Sequence, residues 1–464
     1  MNHRIKERLK TVFIYILAIT GLMQVGILWS YQNQGTPTSF LMELFNRSTQ
    51  ISDQAAREKL FVPDRFVLTD GSNTHWVIDN KNIHYKDLWD ETSKELYQVV
   101  SGVNIAKTSE GWPDIIEKKS IMIDFGYVLK PDLLAWFLGV DSSPKQFPDI
   151  RKVLIKFDIV DENSITLYIY DDNENVYVSD PINWSEADEL DSLISEISDS
   201  AGKFREYWTF AGAKMGEGVD EPGVIYVIGS PKYWPYFKES MNTYAGLNNE
   251  DGLAEIILGN ENDRYSKSRD DSDIVQFGYG NNIYRYYTDG YMSYRYLGST
   301  GNVEKRGVGE ALLNAYKFIA RIQSKLDVTA DIRLTYIDEN TDGSYKFGFD
   351  YRIDGMPVVV SVGSKDAGGD KLEHAISIHA DSKRVLKCDW LMKEFTKETK
   401  GNYCDRFIDI LDSNGINFKD LIIQDIAAGY FVGSTNTQKL VPALIVRQDD
   451  KDDLILNMIP ETGD

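Results

Sequence analysis

A long apolar stretch near the N-terminus, residues 11–29, most constrains what this chain can form; it reads TVFIYILAITGLMQVGILW. These nineteen residues carry no charge, and their number is about what one helix needs to cross the hydrocarbon core of a bilayer. In the ten residues before it, four basic side chains face a single acid. Because basic flanks stay in the cytoplasm, we expect a cytoplasmic tail at 1–10, a single transmembrane anchor at 11–29 and an extracytoplasmic remainder, at the cell membrane.

A cleaved signal peptide is the alternative interpretation of this stretch. A signal peptide has a shorter apolar core and a small-x-small site after it. The sequence after Trp29 is Ser30-Tyr31-Gln32-Asn33-Gln34, which contains no such site. We therefore interpret residues 11–29 as an uncleaved anchor, followed by a tether over residues 30–60.

One face of the predicted anchor helix carries small and polar side chains: Thr20, Gly21 and Gln24, with Leu17 beside them. Small and amide side chains let two helices approach and share a hydrogen bond in lipid, with an average gain of about 0.6 kcal/mol. A single glutamine that is merely tolerated in a long apolar helix is the alternative. We predict this face as a partner-binding surface within the membrane.

Composition limits the classes of partner. The chain has 464 residues, 42% of them hydrophobic and 12% aromatic, and a formal net charge of −22. Its length predicts two to four folded domains. The acidic excess argues against nucleic acid and against adsorption to anionic lipid or wall polymers, and solubility explains it.

The chain has only two cysteines, Cys388 and Cys404, so no disulfide framework holds the fold together. The two could pair in an oxidising compartment and contribute about 3 kcal/mol. However, Leu386, Cys388 and Trp390 alternate on one face of a predicted strand, which indicates core. We expect two buried thiols.

Hydrophobic periodicity predicts an α+β fold of antiparallel sheets packed with helices. Apolar residues recur at helical spacing over residues 85–102, which predicts one helix. A second helix is predicted between Pro131, in its first turn, and Gly139, just after its last turn. A stretch rich in glycine and charge at 211–223 suggests a boundary. We predict an N-terminal α+β domain at 61–215, a middle, mostly-β domain at 216–304 and a C-terminal α+β domain at 305–464.

The middle segment is the least regular. We expect strands at 224–229 and 253–258 with a helical turn at 233–241 between them. Seven tyrosines follow between residues 279 and 296. Stacked tyrosines could hold a sugar or a base, but tyrosine is also a good strand residue, and we expect an antiparallel sheet.

The search for chemistry yields no catalytic, cofactor-binding or metal-binding residues. No complete dinucleotide loop, GxxxxGK[ST] or GxSxG motif is present. Asp338-x-Asn340-x-Asp342-Gly343 resembles the first half of a calcium loop, but position twelve is Phe349, so a hairpin turn is favoured. His374 and His379 are five residues apart in a predicted strand, where they would point to opposite faces and could not share a metal.

Three pieces of sequence carry a resemblance to a known family. They are YRYYTDGYMSYRYLG from Tyr284, YKFGFDYRIDGMPVVV from Tyr345 with the later HAISIHADSKRVLKCDW, and IIQDIAAGYFVGS with KLVPALIV near the end. With the basic N-terminus and single anchor, they resemble the YycH regulatory proteins of Gram-positive bacteria. The end departs slightly, because Pro442 is followed by Ala443 where an aromatic residue is expected.

The resemblance implies a non-enzymatic regulator of the YycG (WalK) sensor histidine kinase in cell-wall homeostasis. It implies action together with the related protein YycI, as a heterodimer, through anchor helices and outer domains, and a C-terminal part with the PepSY-like fold of YycI. No cofactor is implied. The tyrosines and abundant acids motivate an alternative: an anchored, extracytoplasmic wall-polymer hydrolase or carbohydrate-binding protein.

Overall fold

The fold is described from a computed structural model, and its residues 53–464 form one compact unit. The described residues are 51–72, 74–80, 82–140, 147–157, 164–171, 173–184, 187–199, 206–209, 226–228, 233–243, 250–258, 265–270, 274–287, 290–298, 307–326, 330–353, 355–360, 372–404, 406–417, 423–432, 440–448 and 453–460. The predicted anchor at 11–29 lies outside them. Within the described part, none of the helices is both long and apolar enough to cross a bilayer.

The first sheet is built from the N-terminal half of the chain. Its strands are β1 (Arg65–Thr69), β2 (His75–Asp79), β3 (Ile105–Lys107), β4 (Ser120–Leu129), β5 (Ile150–Phe157), β6 (Ser164–Tyr170), β7 (Val176–Ser179), β8 (Ile182–Asn183), β9 (Glu206–Thr209) and β10 (Tyr226–Ile228). They pair in the order β10-β9-β2-β1-β4-β5-β6-β7-β3, and β8 also pairs with β6. All these pairings are antiparallel.

Both faces of the central strands are buried. On β1, Phe66 and Leu68 belong to one hydrophobic cluster, whereas Val67 belongs to another. The side chains of β4 and β5 also alternate between the two clusters, because successive side chains of a strand point to opposite faces. The second cluster also contains Tyr430 and Leu444 from the C-terminal half of the chain, so this face of the first sheet is buried against the C-terminal half.

A second sheet holds most of the C-terminal half. Its strands are β12 (Ser266–Arg269), β13 (Val275–Tyr279), β14 (Asn282–Tyr286), β15 (Tyr291–Tyr296), β16 (Asp331–Glu339), β17 (Tyr345–Ile353), β18 (Met356–Val360), β19 (Ile376–Ala380), β20 (Val385–Leu391), β22 (Ile423–Val432), β23 (Leu440–Gln448) and β24 (Leu454–Asn457). Their order is β12-β13-β14-β15-β20-β19-β17-β18-β22-β23-β24, with β16 on β17. Only β18 and β22 pair in parallel among these described strands. A small third sheet contains β11 (Tyr233–Thr243), β21 (Lys393–Cys404) and β25 (Ile459–Pro460).

Eight helices lie in the described residues: α1 (Asp53–Leu60), α2 (Tyr85–Gly102), α3 (Trp112–Ile116), α4 (Pro131–Leu138), α5 (Ala187–Asp199), α6 (Glu250–Leu258), α7 (Val308–Gln323) and α8 (Phe407–Asn414). Helix α1 therefore occupies the last residues of the predicted tether. It contacts α7 through the ion pair between Lys317 and Asp53, 2.6 Å apart. Arg57 of α1 lies 4.4 Å from the ring centre of Trp136 on α4. Gly309 of α7 packs so closely on Trp136 that a Cβ there would overlap the indole.

The α+β class and its antiparallel sheets are confirmed, as are several local predictions. Helix α2 has the predicted bounds. Helix α4 starts at Pro131 and ends at Leu138. The next residue, Gly139, caps it in the left-handed conformation (φ 70°) that glycine adopts easily. The tyrosine-rich stretch forms the antiparallel strands β13 to β15.

Two predictions for the middle segment are wrong. Residues 233–243 form strand β11 instead of a helical turn, because they pair with β21 much later in the chain. Among the described strands β11 lies at the edge of its sheet, a position where proline is tolerated, as at Pro235. Residues 250–258 form a helix instead of a strand: Leu253, Ala254 and Ile257 are buried while Glu255 is exposed. A short apolar run does not distinguish a strand from a helix.

Candidate functional site

The predicted contact face of the anchor lies outside the described residues. Leu17, Thr20, Gly21 and Gln24 therefore stay a prediction. Among the described residues, a group of buried charged side chains lies between the first and second sheets. We call it the inter-sheet charge cluster and define it by Arg65, Asp124, Lys152, Asp425 and Arg447.

Three members of the cluster form a row across the first sheet. In the antiparallel register, Arg65 of β1 lies opposite Asp124 of β4, and Asp124 lies opposite Lys152 of β5. The three side chains alternate in sign along the row. They lie on the face that Val67 shares with the second hydrophobic cluster, because residues two apart on a strand share a face.

The second sheet supplies the remaining members. Asp425 of β22 lies opposite Arg447 of β23. The Arg65 guanidinium donates to Asp124 at 2.9 Å and to both carboxylate oxygens of Asp425 at 3.0 Å. These side chains are only 9–19% exposed. A single arginine therefore joins carboxylates that lie 301 positions apart in the sequence.

A second ion pair lies beside the cluster and also connects the two halves. Asp64, just before β1, pairs with Arg352 of β17. Arg352 also donates to the Gly355 carbonyl at 2.8 Å. The Asp64 amide donates to the Asp124 carbonyl at 2.7 Å, which ties this pair to the charge row.

Mutual neutralisation decides the protonation of the cluster. Burial alone would raise the pKa of Asp124, but Arg65 and Lys152 outweigh it and lower that pKa to about 2. Burial also opposes ionisation of Asp425, and Arg65 and Arg447 nevertheless lower its pKa. For Arg65, burial would lower the pKa, yet Asp425, Asp124 and Asp64 raise it well above its ordinary value. Asp124, Asp425 and Arg65 are therefore charged at neutral pH.

This arrangement holds the sheets together and is not arranged for proton transfer. A general base needs a pKa near the working pH, whereas these carboxyls are held far below it. Breaking a buried pair by removing one partner costs about 3–5 kcal/mol. A shift of one sheet over the other would separate Arg65 on the first sheet from Asp425 on the second. The cluster thus favours one relative position of the two halves.

A single signal in the sequence could have revealed the cluster. Asp124 interrupts an otherwise apolar run, IMIDFGYVL, which forms most of strand β4. A carboxylate in such a place is buried only with a partner. The identity of the partners could not be read, because Arg65 and Asp425 belong to other strands.

A smaller polar cluster lies on the second sheet. Asp350 of β17 accepts hydrogen bonds from the Thr335 hydroxyl at 2.5 Å and from the Ala375 amide at 2.8 Å. Nδ1 of His374 lies 2.9 Å from the same oxygen that Thr335 contacts. Burial would raise the pKa of Asp350, but His374, Thr335 and Ala375 lower it.

The geometry of this smaller cluster is unsuited to nucleophilic catalysis. A relay needs the carboxylate at one imidazole nitrogen and the hydroxyl at the other. Here Thr335 and Asp350 both lie on the Nδ1 side of His374. The His374 ring also stacks on Tyr336, with ring centres 5.4 Å apart. The cluster therefore fixes β16, β17 and the start of β19 relative to one another.

His374 lies before β19 instead of inside a strand, and its Nδ1 contacts Asp350. In the part of the chain that the structure describes, no group of three metal-ligating side chains comes together. The calcium-like segment forms the predicted hairpin turn: the Asn340 amide donates to the Ser344 carbonyl at 2.8 Å, and Gly343 has a φ of 80°. Asp342 accepts from the Ser344 amide and hydroxyl.

The tyrosines that motivated a carbohydrate-binding alternative are mostly buried. Tyr284, Tyr286, Tyr287, Tyr291 and Tyr294 are each at most 7% exposed. Side chains so deeply buried cannot stack on a sugar ring, so this part of the motivation is lost.

Neither cysteine forms a disulfide, and both side chains are buried, as expected from the alternation around Cys388. Burial raises the pKa of the Cys388 thiol well above its ordinary value, so the thiol is unreactive at neutral pH.

Comparison with known proteins points to a structural relative. No protein-family model matches the chain. A search of curated proteins likewise gives no match. Among solved structures, the chain is similar to the crystal structure of YycH from Bacillus subtilis, with a TM-score of 0.55 and 12% sequence identity. The match covers 89% of this chain and 98% of that structure. The resemblance expected from the sequence is therefore confirmed at the level of the fold.

Proposed function

We propose that the chain is a membrane-anchored, extracytoplasmic regulator of a YycG (WalK)-type sensor histidine kinase, and that it has no catalytic activity of its own. The observation that carries this proposal is the likeness to the YycH structure over 89% of the chain. The three resembling sequence pieces support it, since they extend through β14 to β23. In this proposal the chain acts in cell-wall homeostasis as a heterodimer with a YycI-like protein.

The proposed mechanism uses protein–protein contact at two levels. Outer domains, with boundaries near 215 and 304 and a PepSY-like C-terminal part, pair with the partner, while the anchor biases the packing of the kinase's own membrane helices. The anchor can shift the equilibrium between two packings of the kinase helices only if it binds one packing more tightly than the other. The inter-sheet charge cluster supports this mechanism, because a unit with a fixed internal arrangement can transmit a contact without deforming.

Co-purification tests the proposed partners. After crosslinking in membranes, a tagged full-length chain extracted in detergent should retain both the sensor kinase and the YycI-like protein. A matched chain whose anchor is replaced by an unrelated transmembrane helix should retain less kinase, because the membrane contact is lost. Absence of both proteins from the crosslinked sample would rule out the proposal.

The anchor face has a test of its own. Gln24→Leu removes the amide that could form a hydrogen bond in lipid, and we expect a weaker signal for helix contact in a membrane two-hybrid assay. Ile19→Leu changes a residue on the opposite side of the predicted helix and should leave the signal as it is. If Gln24→Leu behaves like the control, Gln24 does not belong to the contact.

A further inference from the structure

A small cleft lies between the segment that joins α1 to β1 and strand β16. Its lining includes Lys59, Pro63, Tyr127, Tyr316 and Arg333. The empty volume of the cleft is about 330 Å³ when its open mouth is counted.

Tyr127 contributes a buried hydroxyl to this region. Its side chain is 6% exposed, and its hydroxyl has no hydrogen-bond partner among the described residues. Burial raises the pKa of Tyr127 far above its ordinary value, so the hydroxyl keeps its proton. Buried polar groups in folded proteins are nearly always hydrogen-bonded. We therefore expect the Tyr127 hydroxyl to donate a hydrogen bond to an acceptor that the described residues do not supply.

Arg333 contributes an uncompensated positive charge. Its guanidinium forms no ion pair with any described residue. Its strand neighbour Asp350 instead binds Thr335 and His374. The charge of Arg333 nevertheless acts on the hydroxyls of the surrounding tyrosines, where it lowers the pKa against the effect of burial; these are Tyr85, Tyr127 and Tyr316.

The other polar groups near the cleft leave the positive charge in excess. Asp64 lines the cleft, but its carboxylate pairs with Arg352. The Tyr85 hydroxyl already donates to the Pro63 carbonyl. Lys59 adds an exposed cation at the rim. The two cations that line the cleft, Lys59 and Arg333, outnumber its one carboxylate, Asp64, and this excess favours an anion.

We propose that this cleft binds one carboxylate group, with Tyr127 donating a hydrogen bond to it and Arg333 neutralising its charge. The carboxylate can come from a small free acid or from the C-terminus of a peptide, since both present the same group. This site is independent of the proposed kinase regulation.

Thermal unfolding of the full-length protein in detergent tests the site, with sodium formate as the probe and sodium chloride at equal ionic strength as the reference. A ligand that binds only the folded state raises the Tm in a saturable way. We expect a formate-specific rise. Tyr127→Phe and Arg333→Gln should each weaken the formate affinity at least tenfold, whereas Arg285→Gln, an exposed arginine on β14, should leave it unchanged.

Two further arms complete the test. Far-UV circular dichroism establishes that each variant is folded, and Tyr127→Phe removes a single oxygen, so loss of binding in it does not reflect loss of the fold. Acetate against N-acetylglycine distinguishes the sources: tighter acetate binding indicates a free acid, and tighter N-acetylglycine binding indicates a chain terminus. Equal effects of formate and chloride, or undiminished formate binding in both variants, would overturn the proposal and leave the space to water.

Discussion

Arg65→Met should lower the free energy of unfolding by about 3 kcal/mol. Methionine keeps much of the volume but removes the guanidinium that contacts Asp124 and Asp425. Removing one partner of a buried ion pair costs about 3–5 kcal/mol, because the remaining charges stay buried. We expect the lower end of this range, since Lys152 remains opposite Asp124. Urea unfolding of the full-length protein in detergent, followed by tryptophan fluorescence, measures the change.

Two variants control for this effect. Lys317→Ala removes an exposed ion pair with Asp53, and we expect a loss of less than about 1 kcal/mol. Arg65→Lys keeps the charge but loses the planar fork that serves two carboxylates, so its loss should fall between the other two. A loss for Arg65→Met no larger than that for Lys317→Ala would show that the cluster does not hold the sheets together.

Acid should remove stability over a defined range of pH. The pKa of Asp124 is about 2 in the folded protein against an ordinary value of 3.8. The unfolded chain therefore binds more protons between these values. Stability from Asp124 is fully present above about pH 4 and is lost as the pH falls towards 2. The loss is about 2 kcal/mol. The lowered pKa values of Asp425 and Asp350 give contributions of the same sign.

The acid prediction is checked by urea unfolding at a series of pH values from 7 to 2. Asp124→Asn should be less stable at neutral pH and should lose less stability than the original chain between pH 4 and 2, because the titrating group is gone. Glu189→Gln, on an exposed position of α5, should leave the slope unchanged. Identical slopes for Asp124→Asn and the original chain would contradict the assignment.

Sequence periodicity predicted the elements where the deciding contacts are local. Helix α4 was predicted with its ends, because Pro131 and Gly139 act through the backbone at their own positions. Strand β11 was missed because its partner β21 lies far along the chain. Nothing within residues 233–243 shows that a partner strand will lie beside them.

The candidate sites were harder to predict than the fold. Asp124 was visible as a carboxylate in an apolar strand, but it has no ligand-like motif around it. The carboxylate cleft could not be seen, because Tyr127 and Arg333 are ordinary strand residues 206 positions apart. Each site depends on whether a residue from a distant part of the chain lies beside it. Sequence periodicity does not show which distant residues come together.

The sequence by itself determined the apolar stretch at 11–29, the α+β class, helices α2 and α4, the hairpin turn at 340–344 and two thiols in the core. Length, alternation and turn chemistry act over a few residues, and these features depend on nothing more distant. The tertiary structure alone decided which strands pair across long separations, how Arg65 joins Asp124 to Asp425, and where Arg333 is left without a counter-ion among the described residues. Those outcomes depend on the register and packing of sheets, in which residues hundreds of positions apart come within hydrogen-bonding distance.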